Sequence, residues 1–185
     1  MKLTPMRLKN VSPRMLGLLL FLALGLGLQS CGKEIDHERE HRVNNERAFL
    51  AFADSTSYEK VSLPGFFGDG YVYIKWMKRS EVGDRPKKTD QVRLRYRYYQ
   101  LTAWQGVGSG LIYTNYTEEN PKPQELKGEL EGVRIAIQNM RVGDVAMVAI
   151  PWYLALGAKG GIKNNVTIPI YSSLLYQIEL LGIND

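Results

Sequence analysis

From residue 71 onward, apolar and polar positions alternate with the period of extended backbone. Tyr71-Val72-Tyr73-Ile74-Lys75-Trp76-Met77 is rich in aromatic and β-branched residues and predicts a strand. Gly83-Asp84-Arg85-Pro86 is turn chemistry. Between Gln91 and Gln100, Val92, Leu94, Tyr96 and Tyr98 fall on one face and Arg93, Arg95 and Arg97 on the other. Gly106 to Gly110 reads as a turn and Leu111 to Tyr116 as a returning strand. The period then changes. Within Glu131 to Met140, Val133, Ile137 and Met140 stand at i, i+4 and i+7, the apolar stripe of one short helix, which Gly143 closes. Val145 to Ile150 predicts a buried strand, Pro151 to Gly157 a tight connection, and Ala158 to Val166 a glycine- and asparagine-rich loop. Tyr171 to Ile183 predicts the last strand. One short helix on an antiparallel sheet is an α+β arrangement.

Upstream the pattern breaks up. Ala48 to Ala53 is apolar and predicts a short helix docked on the domain, an N-terminal helical extension. Ser62 to Gly70 carries Pro64 and three glycines and reads as a loop and a domain boundary. The expected organisation is a leader over 1–30, a polar tether with a short helix over 31–62, and the folded domain over 63–185, its core 89–183.

Charge is informative only once it is located. The 185 residues are 44% apolar and 23% charged, ordinary globular usage that excludes a disordered or collagen-like chain. The formal charge of +5 points at first to an anionic partner. Four of the 24 basic residues, Lys2, Arg7, Lys9 and Arg14, lie in the first thirty positions, which hold no acid. Twenty basic residues then remain from Cys31 onward against 19 acids, a charge of +1. No nucleic-acid partner is expected, and the three arginines between tyrosines read as a solvated sheet face.

Met15 to Leu28 is an apolar run of about 14 residues after a basic start, too short for the ~20 of a spanning helix and typical of a secretory signal. Leu28-Gln29-Ser30-Cys31 follows. It resembles a bacterial lipobox, with an aliphatic residue three positions before the cysteine and a small one just before it; Gln29 departs from the commonest pattern. The resemblance implies cleavage before Cys31 and lipidation of its thiol, and so a membrane anchor. Gly32, rather than aspartate, follows the cysteine, which by resemblance to Gram-negative lipoproteins implies the outer membrane.

His37-Glu38-Arg39-Glu40-His41 matches H-E-x-x-H, whose two histidines one turn apart can hold zinc while the glutamate activates water. Here the middle pair is charged and Gly32 to Arg47 is nearly free of apolar residues, so the segment reads as a solvated spacer or a lone polar helix, with no metal.

The order of the later motifs carries a resemblance. Met140-Arg141-Val142-Gly143-Asp144, Ile150-Pro151, Leu154-Ala155-Leu156-Gly157, Ile168-Pro169 and Ile178-Glu179-Leu180-Leu181 follow one another as in the FKBP-type peptidyl-prolyl isomerases, from about Thr89 to Ile183. The implied fold is a bent antiparallel sheet wrapped around one short helix. The implied proline pocket falls on Tyr96, Tyr113, Thr114, Leu130, Val133, Leu156, Ile168 and Tyr176. Three of these depart from the family: Thr114 replaces an aspartate, Val133 the tryptophan of the pocket floor, and Leu156 a tyrosine that donates to the bound carbonyl. Val133 is expected to widen the pocket.

Prolyl isomerisation breaks no covalent bond; its barrier is the partial double bond of the peptide, about 18–20 kcal/mol. A dry apolar pocket favours the twisted amide, so no cofactor is needed. Scarce histidine and cysteine suit that chemistry. Two functions stay open on the sequence: an isomerase assisting exported, proline-containing clients, and a weak or inactive FKBP-like subunit binding a partner in an outer-membrane secretion or gliding assembly.

Overall fold

The structure, a computed structural model, describes residues 29–63, 70–106 and 109–184. The expected leader over 1–30 lies almost wholly outside the described residues, and so does the Cys31 side chain. Helix α1 spans Gln29–Leu50 and runs on into a 3₁₀ turn, Ala51–Asp54. Strands β1 (Glu59–Ser62), β2 (Tyr71–Lys78), β3 (Gln91–Gln100), β4 (Leu111–Thr114) and β5 (Gln124–Glu125) come next. Then follow α2 (Glu131–Asn139), β6 (Val145–Ile150), the short pair β7 (Gly161–Lys163) and β8 (Val166–Ile168), and β9 (Leu174–Asn184). The main sheet is antiparallel in the order β1-β2-β6-β9-β3-β4, with β5 on the far part of β3; β7 and β8 pair only with each other.

The alternation in β3 works as expected. Val92, Leu94, Tyr96 and Tyr98 turn into the core beside Val72, Ile74, Val148, Ile150, Tyr176 and Ile178. Helix α2 packs on this inner face. Its burial is wider than one stripe, since Ile135 and Ala136 are as buried as Val133 and Ile137. Gly132 allows the close approach, because a methyl group there would run into Ile150. Gly143, at φ 95°, reverses the chain after the helix, and its amide donates to the Leu180 carbonyl (2.8 Å). The arginines on the opposite face of β3 are engaged locally: Arg93 with Asn120, Arg95 with the carbonyls of Glu118 and Glu119, and Arg97 with Gln177.

Four expectations change. The polar tether is not solvated along its length: from His41 the helix turns one face, His41, Asn45 and Phe49, to the protein. Asn45 is fully buried. Its Nδ2 donates to the His41 carbonyl (2.9 Å), its Oδ1 accepts the Ser173 amide (2.8 Å), and the Ser173 hydroxyl donates to the Asn45 carbonyl (3.3 Å). Phe49 lies 5.1 Å from the Tyr73 ring, centroid to centroid, in an outer cluster with Tyr99, Ala149 and Leu175. The spaced residues that make the contact are polar for one turn, so no hydrophobic pattern marks it. The short helix expected at Ala48 to Ala53 is the end of this longer one. The domain also starts earlier than residue 63: β1 pairs with β2, and the compact unit runs from Glu40 to Asp185. Finally, the loop expected at Ala158 to Val166 holds β7 and the start of β8, joined at Asn164 and Asn165 with φ of 52° and 61°. Two successive left-handed residues are the signature of a tight hairpin turn, and asparagine tolerates them.

Asn45→Ala leaves the Ser173 amide buried without its acceptor, which costs about 1–3 kcal/mol. Urea unfolding of the domain is expected to show a loss of that size; an unchanged midpoint would mean that the helix contributes nothing to stability.

Candidate active site

Strand register assembles the site. Tyr98 stands opposite Tyr176 on β9 and opposite Tyr113 on β4, which sets three aromatic rings in a row across three strands. Tyr96, two residues along β3, adds a fourth on the same face. Tyr98 and Tyr176 stack at 4.8 Å, Tyr96 lies 6.1 Å from Tyr176, and Tyr113 tilts against Tyr96 at 5.6 Å. Leu94, Val133 and Ile178 complete the apolar wall, and Gln124 and Glu129 stand at its edge.

Of the residues expected in the pocket, Tyr96, Val133 and Tyr176 line one space together. Tyr113, Leu130 and Leu156 are half-buried against the same core, and Ile168 is buried on β8. Thr114 is not among them. It is exposed at the end of β4, where its hydroxyl accepts the Tyr116 amide (3.2 Å) and closes a local turn. Val133 does not open the pocket either. The space it borders admits no water-sized sphere. Tyr176, stacked on Tyr98, lines the same space.

The polar rim was not visible in the sequence pattern. The Glu129 carboxylate accepts from Gln124 Nε2 (2.9 Å) and from Lys163 Nζ (2.8 Å), and both ionic side chains are largely buried, 10% and 16% exposed. The Tyr98 hydroxyl donates to the Lys163 carbonyl or to Asn164 Oδ1, each 3.2 Å away. Asn164 Nδ2 donates to the Tyr96 oxygen (3.3 Å). The β7–β8 turn is therefore strapped over the tyrosines. The sequence signal for this hairpin is the pair Asn164-Asn165, which tolerates its left-handed turn.

Burial makes the tyrosines hard to ionise. The Tyr96 phenol is pushed up to about 12, chiefly by burial, with a smaller push from Glu129 that the Asn164 bond opposes. Tyr98 is raised by burial first and by its tyrosine neighbours next. Tyr176 is raised well above the ordinary range by burial and then by Glu129, and its hydroxyl has no partner among the described residues. The site offers apolar walls, the phenols of Tyr96 and Tyr176, whose protons are not donated to a described neighbour, and one paired carboxylate. Such a site can desolvate and grip an apolar ring. Among the described residues no group of three histidine, cysteine or acidic side chains could hold a metal.

Comparisons with known proteins agree with this geometry. Residues 83–181 match the family described as FKBP-type peptidyl-prolyl cis-trans isomerase. Over 106 residues the chain is 29% identical to peptidyl-prolyl cis-trans isomerase FKBP42 of Arabidopsis thaliana; the match covers 56% of this chain and 27% of that protein, so the chain spans about a quarter of its length. The fold is similar to that of FkpA from Escherichia coli (TM-score 0.66, 19% identity, 95% of this chain and 74% of that one). It is similar also to that of a peptidyl-prolyl cis-trans isomerase from Pseudomonas syringae (TM-score 0.62, 18% identity, 80% and 96%). The chain belongs to the FKBP-type peptidyl-prolyl cis-trans isomerase family.

The raised phenols bear on stability at alkaline pH. Below the unfolded tyrosine value of about 10 both states hold their protons and the tyrosines add no pH dependence. Above it the unfolded chain releases protons that the folded one keeps, so stability falls as pH rises through 10 toward the folded value of about 12 for Tyr96. Tyrosinate absorbance is expected to show Tyr96, Tyr98 and Tyr176 ionising only together with loss of secondary structure. Their titration near pH 10 in folded protein would contradict the buried stack.

Proposed function

We propose that this member of the FKBP-type isomerases accelerates cis–trans exchange at proline in exported polypeptides, from a lipid anchor on Cys31 in the outer membrane. The observation that carries the catalytic part is the dry space lined by Tyr96, Tyr176 and Val133, with the rings of Tyr98 and Tyr113 packed against the same tyrosines. A proline ring held there loses water, and the amide loses the solvent hydrogen bonds that favour its planar, charge-separated form. Leu156 supplies no hydroxyl for the peptide carbonyl. The Tyr96 phenol is the nearest substitute in kind, because it accepts from Asn164 and so keeps its own proton to donate. Rate enhancement comes from desolvation and one hydrogen bond, without nucleophile or cofactor.

The anchoring part rests on sequence alone: the basic start, the short apolar run and Leu28-Gln29-Ser30-Cys31. No helix among the described residues is long and apolar enough to cross a membrane.

One observation favours a second reading, an FKBP-like subunit that binds a partner in an outer-membrane secretion or gliding assembly with little turnover. The pocket is shut in the free protein, with Lys163 and Asn164 bonded across its mouth.

A protease-coupled assay on proline tetrapeptides separates the two. Activity above the uncatalysed rate is expected, and Tyr96→Phe, which keeps the ring and removes the hydroxyl, should lower kcat/KM about two- to tenfold, the worth of one net hydrogen bond. Background activity in the unmodified protein, with one membrane protein co-purifying in fixed ratio, supports the partner role instead. For the anchor, labelled fatty acid should enter the protein, and Cys31→Ala should move it to the soluble fraction; unchanged membrane retention would refute lipidation.

A further inference from the structure

We propose that Glu129 sets the substrate class of this pocket: proline with a lysine or arginine beside it, whose cation takes the place of Lys163. The inference rests on the reading of the tyrosine-walled space as a proline site.

A ring cannot reach Val133 while the site is as seen, since no water-sized sphere fits between Tyr96, Val133 and Tyr176. Something at the mouth must move. Two groups meet there, and they are not equally fixed. Glu129 follows the fully buried Leu126, and its carbonyl accepts from the Arg134 guanidinium of α2 (3.3 Å). Lys163 sits next to the turn of a hairpin whose two three-residue strands pair with nothing in the main sheet. Few ladder bonds make a segment the easier one to open. Ile168 pins its base in the core, so the tip at Lys163 to Asn165 is the part that swings.

When Lys163 leaves, Glu129 stays. Among the described residues its carboxylate then has only the neutral Gln124 amide as a partner (2.9 Å), in a largely dehydrated place beside Tyr96 and Tyr176. An uncompensated buried charge is far costlier than a satisfied pair is favourable. A peptide with a neutral or acidic neighbour to its proline must bear that cost on entry. A lysine or arginine restores the pair and returns the site to charge balance. Arginine can also bond the carboxylate with two parallel N–H groups. The strap is thus exchanged, cation for cation, and the specificity comes from what the pocket refuses as much as from what it attracts. The opening also frees the Tyr96 and Tyr98 hydroxyls from Asn164 at the moment a peptide arrives.

The test is a binding titration followed by NMR, run beside the isomerase assay. The probes are capped tetrapeptides carrying lysine, arginine, alanine or glutamate next to proline, on either side. About tenfold tighter binding of the basic peptides than of the alanine peptide is expected, with the glutamate peptide weakest. Glu129→Gln should erase the ranking. The exchanged pair Glu129→Lys with Lys163→Glu should invert it in favour of glutamate, which guards against a single variant that merely folds poorly. Equal binding of all peptides overturns the inference and leaves the proline site standing. No binding by any proline peptide, catalysed or not, overturns both.

Discussion

The pairing of β3 with β9 holds the molecule together in a specific register. Tyr98 faces Tyr176, and the neighbours Tyr99 and Leu175 point to the opposite side. The first pair builds the stack that walls the candidate pocket. The second builds the outer patch on which Phe49 of α1 lies. Because side chains in a strand alternate, a slip of one residue would send the pocket tyrosines to the outside and the helix-docking residues to the inside. Both the site and the N-terminal helix therefore depend on the same ladder. The sequence supports that register: Val92, Leu94, Tyr96 and Tyr98 meet Tyr176, Ile178 and Leu180, so the apolar face of each strand finds its like.

That face was legible in the chain, and β3 and β6 begin and end where the alternation and the apolar run do. Helix α2 was legible from three spaced residues, though its surroundings bury more of it than the stripe. The last strand starts at Leu174 rather than Tyr171, because Tyr171 takes a left-handed turn at φ 52°. The docked half of α1 was hidden for a chemical reason. Asn45 serves as a core residue by exchanging hydrogen bonds with Ser173, and hydropathy cannot distinguish a buried, satisfied amide from a solvated one. Most of the pocket set came through family resemblance, and the structure gathers its aromatic members. Thr114 falls outside, and Val133 leaves no opening, because a floor residue acts only through the volume its neighbours leave. Glu129, Lys163 and Asn164 were invisible as a group, since a hairpin turn brings them together from about 34 residues apart.

The candidate site joins a stack of tyrosine rings to an ion pair at its rim. Thr114 and Leu156 stand where the resemblance implies an aspartate and a tyrosine, and the polar groups beside the tyrosine stack are the Tyr96 hydroxyl and the Glu129–Lys163 pair. Stacked phenols are stiff, and an ion pair shielded from water is strong only while intact. Fold and activity are separable properties.

The position of β9 has a further consequence for how the chain comes into being. It is the last element in chain order, yet in space it lies between β6 and β3. Without β9 the sheet order leaves β1, β2 and β6 as one ribbon and β3 with β4 and β5 as another, each with an unpaired edge of the kind that invites other chains to add on. Sequential, N-to-C growth therefore cannot yield a partly finished but safe domain; the first 170 or so residues must be kept apart by an external holder or by speed. Any pause or cut before Leu174 leaves two sticky half-sheets in place of a slightly shortened protein.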